Sequence, residues 1–341
     1  MAKLNVIDKF IFFINSVVAT LLLLSYILPF VPPKAFAFLS VLSLAVPFLM
    51  LVNMVFALYW LLKLKRQFLL SIVIVGIGYF YLGSFYKVSS ATDVESENNL
   101  SIMSYNVRLF NIYEWIEDTD VETEISNLIQ TQDPDILSLQ EYRPGTKKVN
   151  LSAYRHQYVE LAGDKRQFGQ AIFSKYPIVK SGSITFPNTP NNAIFADIVK
   201  DKDTIRVYNI HLQSLRINTK VEALKQQDSE RLFKSVGSAF TTQQYQTEMF
   251  LKHKNTCKHK MIITGDFNNT AYSYVYRNIK GDLIDTFKEA GHGFGRTYDF
   301  KFFPVRIDFI LADERFTVNG FNTLNELYSD HYPIIAKLAL H

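Results

Sequence analysis

At 341 residues the chain exceeds one average domain, and with 48% hydrophobic and 14% aromatic residues it can bury a large core. The formal charge of +4 misleads: seven of the 36 basic and one of the 32 acidic residues lie in positions 1–89, so 29 basic and 31 acidic side chains leave the remainder at −2. That missing basic footprint counts against long DNA as the substrate, and a single cysteine, Cys257, excludes an internal disulfide.

The N-terminal quarter holds three apolar runs. No charged residue falls between Lys9 and Lys34, between Lys34 and Lys63, or between Arg66 and Lys87, gaps of 24, 28 and 20 residues. A bilayer needs about 20 apolar residues per helix. The pattern therefore predicts three transmembrane helices, near 10–31, 36–62 and 67–86, in a membrane region 1–87. The alternative is a signal peptide followed by a buried helical hairpin. Against it, the first run is too long for a signal core and no small-residue cleavage pattern follows. Pro32 and Pro33 close the first helix. Lys3, Lys9, Lys63, Lys65 and Arg66 flank one side of these runs, Lys34 and Lys87 the other. Basic residues favour the cytoplasm, which predicts a cytoplasmic N-terminus and an extracytoplasmic domain, periplasmic or extracellular. The runs carry no internal charge, which argues against a transport path of their own.

Residues 88–99, VSSATDVESENN, read as a linker. From 100 to 341, short apolar strands alternate with helical stretches. Leu100–Asn106 reads as a strand. Thr119 with Glu122 has the form of a capping box, and Val121, Ile125, Leu128 and Ile129 follow at helical spacing until Asp133–Pro134. Asp135–Gln140, Phe168–Lys175, Ile194–Val199 and Arg206–Leu212 read as strands. A long helical region spans 219–252, with Gly237 as a candidate break. His253, Cys257 and His259 resemble a sparse metal cluster, but they are too few for zinc and sit in a Lys-rich surface segment. Met261–Thr264 is a strand, 272–279 a short helix, and Ile307–Ala312 and Ile334–Leu340 complete the series. Several strands are apolar on both faces. An α/β fold of two packed sheets with helices outside follows.

Polar residues gather at the strand ends. SIMSYNVR ends near Asn106, and DILSLQE ends in Glu141, which continues the face of Leu137 and Leu139. RVYNIHL presents Asn209 and His211 two apart, and IITGDFN presents Asp266 and Asn268 two apart. Side chains at i and i+2 of a strand point the same way. Asp308 lies within VRIDFIL, and Asp330 with His331 precedes the final strand. Gly265 lets the backbone bend or a ligand approach closely. A carboxylate beside a neutral amide suits a site where one group takes a proton and the other bonds an oxyanion. Each motif alone is an ordinary turn or surface loop; the weight lies in the set.

In its order of motifs the chain resembles the endonuclease/exonuclease/phosphatase superfamily, over roughly residues 100–341. The motifs are Asn106 in SYNVR, Glu141 in LQE, His211 in NIHL, Asp266 and Asn268 in GDFN, Asp308 in RIDFIL, and Asp330 and His331 in SDH. The resemblance implies a four-layer α/β/β/α sandwich and phosphoester hydrolysis by water with Mg²⁺ or Mn²⁺. It implies Glu141 as main metal ligand, with Asp330 completing the metal shell or orienting His331. Asp266 would activate the water, with Asn106 holding it. Asn268 and His211 would bond the phosphate or leaving oxygen, and Asp308 would support a charged His331. Arg108 stands where some family nucleases carry an acidic residue; like Arg143 it is a candidate contact to an anionic substrate. GFGRTY, residues 293–298, is a candidate substrate rim. The anchor favours a lipid headgroup or small phosphoester at the bilayer. An extracytoplasmic nuclease is the alternative, using Lys147, Lys148, Arg155, Lys165 and Arg166 as a basic band. A non-catalytic scaffold that binds a phosphorylated ligand is the third reading.

Overall fold

The computed structural model describes residues 4–79, 83–88, 94, 98–146, 148–163, 167–215, 229–300 and 304–340. Its N-terminal part is a helical bundle: α1 (Val6–Ile27), α2 (Ala37–Ser40), α3 (Val46–Leu62) and α4 (Phe68–Ile77). The Asn5 side chain caps α1 by accepting from the Asp8 N–H at 2.7 Å. Single stretches of 3₁₀ helix extend α1 to Phe30 and join α2 to α3. Val6–Phe30 and Ala37–Leu62 are therefore each long and apolar enough to cross a membrane.

The third expected span is corrected. α4 has only ten residues, about 15 Å at 1.5 Å per residue, so among the described residues two helices reach membrane-spanning length, not three. α4 is capped at Gly78, which passes so close to α1 that an added Cβ would lie 2.0 Å from the Tyr26 hydroxyl. Residues 80–82, the next part of that run, fall outside the described residues.

A buried polar chain ties the helices together. Asn15 Nδ2 donates to Ser71 Oγ at 2.7 Å and Trp60 Nε1 donates to Asn15 Oδ1 at 2.9 Å. At the far end of α1 and α3, Lys63 Nζ reaches Asp8 Oδ1 at 2.5 Å. The opposite end of the bundle meets the large domain. There the Lys34 N–H donates to Gln244 Oε1 at 2.9 Å, and the Arg277 guanidinium lies 4.1 Å above the Phe30 ring.

The connection between the two parts is short. β1 (Tyr86–Lys87) pairs with a later strand, and Val94 donates its N–H to the Asn319 carbonyl at 3.0 Å. The rest of the expected linker, 89–93 and 95–97, lies outside the described residues.

The remainder is an α/β sandwich. Its elements are β2 (Asn99–Asn106), α5 (Val121–Gln132), β3 (Ile136–Tyr142), β4 (His156–Ala162), β5 (Phe168–Ser174), β6 (Ile178–Thr185), β7 (Asn192–Lys200) and β8 (Asp203–His211). They continue with α6 (Ser229–Lys254), β9 (Lys260–Asp266), α7 (Tyr274–Lys280), β10 (Ile284–Asp285), α8 (Thr286–Ala290), β11 (Gly293–Phe294), β12 (Asp308–Ala312), β13 (Phe316–Thr323) and β14 (Ile334–Leu340). One six-stranded sheet runs β10-β12-β9-β8-β7-β6, the other β13-β14-β2-β3-β5-β4. β1 pairs with β11. Between the sheets, Ile102, Ile136, Ile172, Ile194, Val207, Ile262 and Ile310 form the central core. Separate clusters line the outer faces: Ile125 and Leu128 of α5 against Leu137 and Leu139, and Phe250 of α6 against Tyr208 and Ile263. Apolar residues on both faces of β3 and β8 are thus explained by a core on each side.

Each sheet centres on one parallel pair, β2 with β3 and β8 with β9. α5 links the first pair and a segment including α6 the second. The C-terminal ends of these four strands lie at one rim.

Two details differ from expectation. Asp120, not Thr119, caps α5, its carboxylate accepting from the Thr123 N–H at 3.4 Å. α6 runs unbroken through Gly237, which faces Ala37 of α2 so closely that an added Cβ would stand 3.4 Å from the Ala37 Cβ. The expected start of that helix, 219–228, lies outside the described residues.

Candidate active site

Asn106, Glu141, His211 and Asp266 come from the C-terminal ends of β2, β3, β8 and β9. Asp308 opens the antiparallel β12 directly opposite Asp266. His331 precedes β14, whose Ile334 pairs with Ser104 of β2. Both sheets therefore deliver polar side chains to the same rim.

Asp266 is the centre and is 1% exposed. Its Oδ2 accepts from Asn106 Nδ2 and Asn268 Nδ2, both at 3.1 Å, and its Oδ1 accepts from the Asn268 backbone N–H at 2.7 Å. His331 Nε2 is 3.6 Å and His211 Nε2 3.7 Å from Oδ2. Asn268 also donates to the Leu212 carbonyl at 3.0 Å, so its amide hydrogens are spent on Leu212 and Asp266. Gly265 serves the sheet rather than a ligand. Its φ is +133°, and a Cβ would lie 2.0 Å from the Ile210 carbonyl oxygen.

Glu141 does not continue the face of Leu137 and Leu139, as strict alternation predicts. The ladder to β5 shifts register between Leu139 and Tyr142, and Glu141 has φ of +51°. This bulge gives the helix-side face to Tyr142 and turns Glu141 towards Asp266. Asn268 at φ +50° and a run from Arg108 to Asn111 at φ +42° to +60° are also left-handed. Such backbone costs about 1–3 kcal/mol per residue and gathers at functional sites.

The electrostatics follow from burial. Burial lifts the Asp266 carboxyl to about 7, against the pull of His331. Burial likewise raises Glu141, with His331 opposing. Burial alone would discharge His331, but the Asp308 and Asp266 carboxylates outweigh it and raise the imidazole to about 10. His331 Nδ1 lies 3.0 Å from Asp308 Oδ2. His211 goes the other way: burial, then the charge on His331, lowers it to about 3, so it is neutral.

Glu141, Asp266, Asn268, Asp330 and His331 line one cavity of about 240 Å³. Gly295 and Tyr298 of the expected GFGRTY rim line it too. Arg108 stands beside it, its Nε 3.4 Å from Asp330 Oδ2 and its guanidinium 4.2 Å from the Trp115 ring centre. Arg143 does not line the cavity; it turns to Glu122 of α5 at 3.3 Å.

Sequence reasoning missed the supports. Thr297 Oγ1 accepts from the N–H groups of Ile307 and Asp308, each at 3.0 Å. Ser329 Oγ donates to the Asn106 carbonyl at 2.8 Å and accepts from the His331 N–H at 3.2 Å. Gln140 Nε2 donates to Asn209 Oδ1 at 2.6 Å, locking the two sheets together beneath the site. Gln243 of α6 donates to the Asn268 carbonyl at 3.1 Å. The only signal for Gln140 was an amide on the same inward face as Ile136 and Ser138.

Asp266, Asp308 and His331 offer ligand atoms within 4.8 Å of one another. His331 is committed as a cation between the two carboxylates, which leaves oxygen donors from Glu141, Asp266 and Asp330 facing the cavity. Hard divalent cations take such ligands. The upward shifts of Glu141 and Asp266 are what a nearby cation relieves, so the donor set fits one.

Residues 8–85 match a domain of unknown function, DUF8431. No curated protein sequence matches the chain. Among solved structures, an endonuclease/exonuclease/phosphatase family protein from Bacteroides thetaiotaomicron is 20% identical, with a TM-score of 0.53 over 72% of this chain and 100% of that one. The mannosyl-6-phosphatase of B. thetaiotaomicron VPI-5482 is 20% identical, with a TM-score of 0.52 over 71% and 100%. TDP2 from D. rerio, complexed with single-strand DNA product, is 18% identical, with a TM-score of 0.53 over 71% and 99%. These likenesses share the fold. Residues 103–331, two thirds of the chain and including every residue at the rim, match the endonuclease/exonuclease/phosphatase family, and the chain belongs to that family.

Proposed function

We propose that the protein is a membrane-anchored phosphoester hydrolase, dependent on Mg²⁺ or Mn²⁺, in which Asp266 activates a water. One observation carries the reading: a buried carboxylate, Asp266, is held by Asn106 and Asn268 and flanked by His331 and Glu141 in a single cavity.

The residues divide the work by their charge. Asp266 takes a proton from the attacking water, whose oxygen bonds to phosphorus as one P–O ester bond breaks. Asn106 holds the Asp266 carboxylate in line. Asn268 exchanges its bond to Asp266 for a non-bridging phosphate oxygen. His331, protonated at neutral pH, offers positive charge where negative charge builds on phosphorus, and Asp308 maintains that charge. His211 is neutral and acts as a hydrogen-bond donor rather than an acid, so the leaving oxygen takes its proton from water. Glu141 and Asp330 would hold the cation, which supplies Lewis-acid stabilisation of phosphate charge when bound.

The anchor and its orientation belong to this proposal. The Asp8–Lys63 pair marks one end of the bundle and the Lys34–Gln244 contact the other. The basic Lys63, Lys65 and Arg66 are thus remote from the catalytic domain, as a cytoplasmic N-terminus and an extracytoplasmic domain require. The nuclease reading finds less support. Of its basic band, Lys148 pairs with Asp120 at 2.6 Å and Arg155 is exposed, while Lys147, Lys165 and Arg166 lie outside the described residues.

The test is hydrolysis by the full chain, in detergent with Mg²⁺, of bis(p-nitrophenyl) phosphate, p-nitrophenyl phosphate and plasmid DNA. Asp266→Ala runs in parallel. Equal rates for parent and variant, or no hydrolysis of any ester, would sink the assignment.

A further inference from the structure

The cavity has two unlike kinds of lining, and two parts of the chain build it. Its polar lining includes Asp266, Asn268 and His331. Its apolar lining includes Leu44 and Pro47, from the start of the long Ala37–Leu62 helix, Phe85, and Ala271 and Tyr272 of the loop after β9. Tyr272 is buried against Ala19, Leu22 and Val46 of the helical bundle. The Thr270 hydroxyl, just before it, donates to the Ser43 carbonyl at 3.4 Å. The helices that are long enough to cross a bilayer thus contribute one wall of the site where the carboxylates converge.

The seam around this wall is aromatic and open. Phe38 of α2 is 68% exposed and packs on Phe233 of α6, 44% exposed, at 5.6 Å between ring centres. On another part of the seam Tyr86 and Phe294 pack at 4.8 Å and are also exposed. Phe233 and Phe294 belong to the sandwich, so the catalytic domain itself presents apolar rings beside the end of the bundle. Aromatic side chains at such a level are the usual occupants of a membrane–water interface.

We infer that the substrate is a lipid-borne phosphoester, its hydrocarbon lying against Leu44, Pro47 and Phe85 and its phosphate among Asp266, Asn268 and His331. This rests on the hydrolase reading and narrows it to one source of phosphate. A soluble sugar phosphate or an oligonucleotide has nothing to place on the apolar wall, and burying its polar groups there is costly. A lipid removes apolar surface from water at the wall, at a depth it already occupies in the bilayer.

Photolabelling tests the seat without turnover. The full chain carrying Asp266→Asn is placed in phospholipid nanodiscs with phosphatidic acid bearing a diazirine near the glycerol end of one acyl chain. Diacylglycerol with the same diazirine is the phosphate-free control. Phosphatidic acid should label the peptides holding Leu44, Pro47 and Phe85. Adding Leu44→Trp or Ala271→Phe, which narrow the cavity from its two sides, should reduce that labelling at least about fivefold. Equal labelling by both probes, or none on these peptides, overturns the inference.

Rates separate this inference from the reading beneath it. In the otherwise unaltered chain, Leu44→Trp and Ala271→Phe should each lower the ratio of lipid to bis(p-nitrophenyl) phosphate turnover at least about tenfold. Hydrolysis of the soluble ester with no lipid turnover overturns the lipid assignment and leaves the hydrolase standing. Hydrolysis of neither overturns the hydrolase, and the photolabelling then decides the seat alone.

Discussion

His331 and Asp308 face each other from the loop before β14 and the first residue of β12, Nδ1 to Oδ2 at 3.0 Å, both almost wholly buried. The imidazole's other nitrogen points to Asp266 at 3.6 Å. A single ring is thereby pinned between two carboxylates and kept cationic.

Replacing Asp308 with Asn removes the larger support of that charge. The His331 pKa, raised to about 10, should fall towards its ordinary value near 6.5. Because the protonated form is the active one, the alkaline limb of the pH–rate profile should move to lower pH. With about a quarter of the imidazole still protonated, the rate at pH 7 should fall about fourfold, and roughly tenfold more for each further pH unit. An alkaline limb that stays in place in Asp308→Asn would exclude this role.

Asp266 is held at a cost to the fold. Its pKa is raised from 3.8 to about 7, so the ionised form is disfavoured in the folded state and the penalty grows as pH rises through that interval. Without divalent cation, Asp266→Asn should therefore melt above the parent at pH 8, with the difference vanishing by pH 4. Differential scanning fluorimetry in EDTA checks both the sign and the window.

Cation binding should compete with the same protons. Mg²⁺ should raise the melting temperature of the parent more at pH 8 than at pH 5, since protonated carboxylates are poor ligands. Glu141→Gln should remove most of that shift and, with it, most activity. An equal Mg²⁺ shift in parent and variant would place the cation elsewhere.

Gly265→Ala tests the backbone that aims Asp266. Its φ of +133° is nearly closed to alanine, and the new Cβ would collide with the Ile210 carbonyl of the neighbouring strand. We expect a loss of roughly 2–4 kcal/mol in urea unfolding, combining strain with displaced backbone. A near-neutral result would show that β8 and β9 can part without harm.

The sandwich domain without its helices should fold poorly as a soluble monomer. Removing residues 4–79 bares Tyr272 and Ala271 and deletes the contacts of Ser43 and Ala37. Size-exclusion chromatography of residues 83–341 should show aggregation or detergent dependence. A stable monomer with full turnover of a soluble ester would mean the helices leave the site untouched.

How far the sequence foretold this arrangement varies with the physics involved. Asp266 and Asn268, or Asn209 and His211, were legible because strand alternation puts i and i+2 on one side. The central strands were legible because they are apolar on both faces. The edge strands β4, β6 and β13 were not, because one half-exposed face blurs their periodicity. Glu141 was found for a reason that does not hold: alternation assigns it to the helix side, and only the bulge with positive φ brings it to the site. The short α4 was hidden because a charge-free run does not reveal where a helix within it is capped, here at Gly78. Arg143 looked available because Glu122 is 21 positions away in sequence, though next to it across α5. The apolar wall was beyond reach, since nothing local to Leu44 or Pro47 announces Asp266.

The strand order β13-β14-β2 has a consequence for biosynthesis. β2 emerges early, yet its neighbour on one side is residues 334–340, and His331 arrives only with them. A ribosome that has made the helices and most of the sandwich still holds a polypeptide without its imidazolium and with an unzipped sheet. On the proposed function, the site is therefore completed in one stroke, only after the helices and most of the sandwich have been made.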